Sequence, residues 1–460
     1  MLDVLITGGT VIDGSNRPGY TADVGIRDGR IVAIGDLAGR KAARHHDARG
    51  RIVSPGFIDA HTHDDRLVLD AGEEACHPKL SQGVTTVVTG NCGISLAPLR
   101  WTDGAPPAPL DLLGRDGWTF ERFGDYLDAL ARSRPTLNTA CLVGHSTLRV
   151  RHVADLQKEA DARECQRMAA DLQEALKAGA IGLSTGLYYP PARAASTAEV
   201  IAVGAPLQRH GGIVAMHLRG EADQIDDALR EGFEIGRALG VDTVLSHHKL
   251  IGKRNHGRSA QTLALIEEAA QAQSVCMDCY PYNASSTMLL AARVNQSSQV
   301  LVTWSEVDPS AAGRSLFALA QERGVSPESL VQTLSPAGAV YFAMDEGDVS
   351  RILAHPLTMV GSDGLARDRR LFPLETAVYK MTGLPARRFG LQGRGLLGEG
   401  CAADIAIFDA ATIADRATFE NPTAASVGMD AVFVNGVLAC EQGRTVERHA
   451  GQVLRHGRTP

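Results

Sequence analysis

Cysteine is sparse in this sequence, eight residues in 460, too few and too scattered for the disulfide framework of a small secreted scaffold. Free thiols or ligands are the expectation. A basic surplus is also missing, because 46 lysines and arginines stand against 53 acidic residues for a formal net charge of -7. With no long Lys/Arg run either, the chain cannot neutralise a phosphate backbone, and nucleic acid is excluded as a partner. No stretch approaches the roughly 20 uninterrupted apolar residues of a spanning helix, which excludes a membrane role. The first residues include Asp3 and lack the basic start and apolar core of a signal peptide, so a cytoplasmic location is expected. What is present is ample: 44% hydrophobic residues can furnish one large core and a smaller second one.

Short β-rich runs punctuated by glycine occupy both ends. Val4–Thr7, Thr10–Gly14 and Asp23–Ile34 read as hairpins, and Ala403–Asp409 with Ala431–Val437 repeat the texture. They predict a small β-sandwich-like domain from residues 1–55 together with 390–460. Between them, strand-like runs at Ile52–Ile58, Thr85–Val88, Asn138–Val143, Ile181–Ser184, Ile213–Ala215, Thr243–Leu245, Ser274–Asp278 and Thr358–Val360 alternate with helical patterns such as Glu159–Ala178, Asp223–Leu239 and Ser259–Ala272. This α/β order predicts a (β/α)8 TIM barrel over 56–389. The interval 285–343, too long for a loop and containing short helices, is expected to be a subdomain inserted over the barrel mouth.

Chemistry-bearing residues recur where strands should end. The run Pro55–His63 closes on His61-x-His63, and alternate residues of a strand share a face, so two imidazoles can converge. Cys92 follows the run Val84–Val88; a thiolate there favours zinc over magnesium or calcium, although a small buried cysteine is the plainer reading. His217 ends another strand. In Ser246-His247-His248-Lys249, alternation puts His247 and Lys249 together and turns His248 away. Either His217 or His247 alone could be a hydrogen-bonded barrel residue. Asp363 ends the last strand. Together the six, five nitrogen or sulfur donors and one carboxylate, form a metal constellation that no single member establishes. Cys276 and Cys279 spell C-x-x-C, but on a strand their sulfurs point to opposite faces, which argues against a redox or zinc pair.

The runs SPGFIDAHTHDD, SQGVTTVVTGNCGISLAPL, GHSTLR, SHHK with NHGRS, YPYNASSTML, AGAVYFAMDE, GSDGL and FPLETAVYKMTGLPA extend over nearly the whole chain. In them the sequence resembles the amidohydrolase superfamily, and within it the D-aminoacylases, which deacylate N-acyl-D-amino acids. The cysteine takes the place where other amidohydrolases carry a carboxylated lysine bridging two metals. The resemblance implies one tight Zn2+ held by Cys92, His217 and His247, and a second, weaker position at His61, His63 and Asp363. It implies that Asp363 carries a proton from water to the departing amine, the alternative being a pure ligand role. Lys249, Tyr280 and Ser286 match positions that grip the substrate carboxylate, as a cation with hydroxyl donors should. Arg293 either assists or is a solvated surface residue, and Tyr189 either lines the pocket or packs the barrel.

The implied partner is a small-molecule N-acyl amino acid with a neutral side chain, and a monomer is compatible with that role. An N-acyl-D-glutamate or N-acyl-D-aspartate deacylase is the alternative; a cyclic amidase, a dipeptidase or a non-catalytic scaffold are more distant ones. One departure stands out. Between Gly364-Leu365 and Phe372-Pro373 the resembling proteins carry a longer lid-like loop, where this chain has only Ala366–Leu371; Arg367, Arg369 and Arg370 receive no role.

Overall fold

The computed structural model describes residues 1–69, 76–363, 371–419, 421 and 424–457. Eight parallel strands pair in chain order: β1 (Phe57–Asp59), β2 (Val84–Thr89), β3 (Asn138–Gly144), β4 (Gly182–Gly186), β5 (Ile213–His217), β6 (Asp242–Leu245), β7 (Val275–Cys279) and β8 (Thr358–Val360). Where the first strand meets the last, the Ser362 N–H donates to Asp59 Oδ1 (2.8 Å) and the Asp363 N–H to the His61 carbonyl (3.2 Å). The near-closed (β/α)8 barrel is thus fastened beside the residues of interest.

Alternation along the strands sorts side chains into two cores. Ile58, Val88, Ala140, Leu142, Ile213, Ala215, Val244, Cys276 and Met359 fill the interior, while Val87, Val143, Val214, Met216, Leu245, Met277 and Cys279 pack with the surrounding helices. Cys276 and Cys279 therefore do lie in different layers, as period two requires. The run Ile52–Ile58 is not one strand but two. Ile52–Pro55 joins the terminal sheet and β1 the barrel, broken at Gly56, where a Cβ would stand 2.2 Å from Thr85 Cγ2. The helical pattern from Glu159 starts later than its periodicity indicates, at Ala162, because Asp161 caps the Arg163 and Glu164 N–H groups and Glu164 returns the bond.

The sandwich-like terminal unit is one mixed sheet of nine strands, five from the N-terminal end and four from the C-terminal end, folded round its own core of Val4, Ile6, Val24, Ile26, Ile405 and Phe433. The insertion holds more than short helices. Ala284–Met288, Ala337–Phe342 and Gln299–Ser305 form a three-stranded antiparallel sheet with its own buried cluster. No helix among the described residues is long and apolar enough to cross a membrane. The short loop with Arg367, Arg369 and Arg370 lies outside the described residues.

Candidate metal centre

At the C-terminal ends of the strands, His217 continues the inward series Ile213, Ala215 on β5, so alternation alone delivers it to the barrel mouth. The other expected ligands arrive differently. His61, Cys92, His247 and Asp363 all lie beyond the last residue of their strands, and Cys92, His247 and Asp363 hold left-handed backbone with φ of 53°, 36° and 34°. Cysteine does not favour that region, which costs a non-glycine residue of order 1–3 kcal/mol and concentrates at functional sites.

Cys92 Sγ lies 3.2 Å from His61 Nε2 and 3.3 Å from His247 Nε2. Ligand atoms of His61, Cys92 and His247 fall within 4.8 Å of one another, as do those of His61, His63 and Asp363, and those of His217, Glu221 and His247. No one of these groups contains both Cys92 and His217; His247 is common to the one that holds Cys92 and the one that holds His217. Both ring nitrogens of His217 and Nδ1 of His63 are buried without a hydrogen-bond partner. Orphaned donors and acceptors in a buried site mark a missing ligand, and a soft sulfur with imidazoles is the donor set that zinc takes. The residues present fit the ion.

Electrostatics divide the imidazoles: against the penalty of burial, Asp278 and the Cys92 sulfur push His61 well above its ordinary range, while the other three are held in the ligating form. Burial pushes His217 and His63 down to about 3, and burial with the Lys249 charge holds His247 well below its ordinary range. All three are neutral at physiological pH, the ligating form. Burial raises the Cys92 thiol and the Asp363 carboxyl above their usual ranges, the latter against the opposing pull of His61.

Two acids that sequence reasoning did not select orient this set. Asp278 on β7 lies 3.3 Å from His61 Nδ1 and accepts the His247 N–H at 2.8 Å, aiming His61 Nε2 at the sulfur as outer-shell carboxylates do. It occupies the same strand face as Cys276 and Tyr280, so alternation could have found it. Glu221 is buried 3.2 Å from His247 Nδ1 and 3.6 Å from His217 Nε2, and it accepts from Lys249 Nζ (2.6 Å) and Arg293 Nη2 (3.2 Å). Burial alone would raise its carboxyl, but Lys249 and the histidines outweigh that and hold it well below the usual range. Only the spacing of four residues from His217 hinted at it. Replacing Glu221 with alanine strands two buried cations. Unfolding of the metal-free variant in urea is expected to show a loss of about 3–5 kcal/mol, and a loss under about 1 kcal/mol would show that the cations do not depend on it.

The expected substrate-contact residues divide between two faces of one strand. Lys249 Nζ sits 2.6 Å from His247 Nδ1 and 5.5 Å from the Tyr280 ring centroid, and the Tyr280 hydroxyl is buried without a partner. Arg293 is buried rather than a surface residue, bonded to Glu221, to Ser285 Oγ (3.1 Å) and to the Tyr188 hydroxyl (3.0 Å). Its serine partner is Ser285; Ser286, one residue on, is exposed toward a cleft that also contains His63 and Asp363. The Tyr189 ring packs 4.8 Å from that of His217. On the opposite side, Lys79 bonds Asp59 (2.6 Å) and Ser362 (2.7 Å), bracing the stem of Asp363.

The amidohydrolase family model matches residues 44–326 and 348–439. The chain is 52% identical to the D-aminoacylase of Alcaligenes xylosoxydans xylosoxydans over 474 residues, covering 98% of this chain and 97% of the relative. A solved D-aminoacylase with a binuclear metal centre, described as activated by one metal and attenuated by a second, superposes with a TM-score of 0.95 at 52% identity, covering 99% of this chain and all of that one. The N-acyl-D-glutamate deacylase of Bordetella bronchiseptica, solved with zinc and a phosphonate mimic of the tetrahedral intermediate, gives 0.93 at 44% identity and 99% coverage of both.

Proposed function

The chain belongs to the amidohydrolase family, and from that premise we propose that it is a zinc-dependent enzyme that hydrolyses the amide bond of N-acyl-D-amino acids to a D-amino acid and a carboxylate. The observation that carries this reading is the Cys92 sulfur set between His61 and His247 beside a His217 ring whose two nitrogens are buried without a hydrogen bond. Cys92, His217 and His247 hold the tight zinc, and His61, His63 and Asp363 the weaker position. Zinc, when bound, polarises the acyl carbonyl and makes water a nucleophile near neutral pH. Asp363, its carboxyl raised by burial, takes a proton from the attacking water and delivers it to the departing nitrogen. Lys249 and the Tyr280 hydroxyl hold the carboxylate of the amino acid, while Ser286, expected beside them, faces the cleft on the other side of its strand. Tyr189 packs behind His217 and walls the pocket.

A neutral side chain is favoured by the 52% identity to a D-aminoacylase over nearly the whole chain. The 44% identity to an N-acyl-D-glutamate deacylase keeps acidic side chains as the second reading. Eight cysteines scattered over 460 residues, too sparse for a disulfide framework, support a reducing, cytoplasmic location.

Purified enzyme should turn over N-acetyl-D-methionine faster than N-acetyl-D-glutamate and leave both L forms intact. Chelation should abolish turnover and zinc should restore it. Equal rates on the enantiomers, or activity indifferent to chelation, would sink the proposal.

A further inference from the structure

Between the barrel mouth and the inserted sheet runs a cleft of about 390 Å³, within the range of small-molecule sites and larger than an acetyl methyl needs. Its lining includes His63 and Asp363 together with Leu112, Met288, Leu290, Trp304 and Pro336. Leu112 and Trp304 are 47% and 41% exposed, large apolar side chains presented to solvent within one concave surface. The indole lies against the neighbouring strand because residue 338 is glycine: a Cβ there would stand 2.4 Å from Trp304 Nε1. Among the described residues lining the cleft, the ionisable ones are His63, Asp111 and Asp363, with no lysine or arginine. The apolar part of that lining accepts an uncharged aliphatic chain.

The substrate has two halves, and the site separates them. Carboxylate and side chain both hang from the Cα on the nitrogen side of the scissile bond, where Lys249, Arg293 and Glu221 lie. The strand Ala284–Met288 divides the regions, with Ser285 bonded to Arg293 and Ser286 facing the cleft. The acyl half therefore leaves the metal centre by the His63 and Asp363 side. We infer that this cleft is an acyl subsite for aliphatic N-acyl chains longer than acetyl, an inference that rests on the deacylase reading above.

The test uses the zinc-loaded full-length protein with N-acetyl-, N-butanoyl-, N-hexanoyl- and N-octanoyl-D-leucine, and separately follows tryptophan fluorescence as acetate or octanoate is added. In the wild type kcat/KM should climb roughly two- to fourfold for each added methylene until the chain outgrows the cleft. In Trp304→Ala the octanoyl-to-acetyl ratio should fall by about tenfold or more, and octanoate should bind far more tightly than acetate with a quench that Trp304→Phe removes. A flat wild-type series overturns the inference. So does a Trp304→Ala effect that appears only in the comparison of N-acetyl-D-alanine with N-acetyl-D-leucine, because the cleft would then hold the side chain. Octanoate binding without turnover of any member would uphold the cleft and refute the deacylase reading; loss of both refutes the inference itself.

Discussion

Asp363→Asn is expected to lower kcat by about a thousandfold, within the range that a positioned proton carrier contributes, while zinc at the Cys92 group is retained. Asparagine preserves the shape and tolerates the left-handed backbone that Asp363 adopts at φ 34°, so the backbone bond from residue 363 to the His61 carbonyl (3.2 Å) survives. What is lost is the ability to accept a proton and give it back. Burial already raises this carboxyl, which brings the two protonation states closer in energy than for an exposed acid. The rival role, a ligand to the weaker metal position and nothing more, makes a different forecast: metal content falls toward one per chain and kcat changes by less than about tenfold. Measuring kcat and bound zinc on the same preparation separates them.

Fold and site were legible to different depths, and the boundary between them is where strand periodicity stops. All eight barrel strands lie on runs that the sequence exposes, because each must bury one face in the barrel and the other under helices. His217 was legible for the same reason. Extending alternation past Asp59 and Leu245, where the strands end, pairs His61 with His63 and His247 with Lys249. They converge because of irregular backbone, the left-handed turn at His247 among it, which no periodic rule describes. Glu221 was hidden because it sits in the loop after β5 and its partners Lys249 and Arg293 come from distant segments. The inserted sheet escaped for a related cause, since its pairing joins Ala284–Met288 to Ala337–Phe342 across an intervening strand and helices. Arg293 shows the limit of a composition argument: most arginines are exposed, but this one is buried because a carboxylate, a serine and a tyrosine ring 4.7 Å away surround it.

Cys92→Ala should produce the other large loss, and it reads the metal centre directly. The sulfur is the one soft donor in reach of two imidazole nitrogens, and its thiol, raised by burial, keeps its proton until a cation displaces it. Removing a ligand weakens binding by more than the 10- to 100-fold typical of losing an outer-shell partner, so zinc affinity is expected to drop by more than about a hundredfold and turnover with it. Zinc addition to the metal-free wild type should release about one proton more than addition to the variant. Alanine keeps the same Cβ at the same left-handed φ of 53°, so the backbone strain is unchanged and thermal unfolding of the metal-free forms should nearly coincide. A variant that unfolds like the wild type, retains its zinc and turns over substrate at the wild-type rate would place the metal elsewhere in the barrel. A variant that keeps the fold but binds no zinc ties the strained turn after β2 to catalysis.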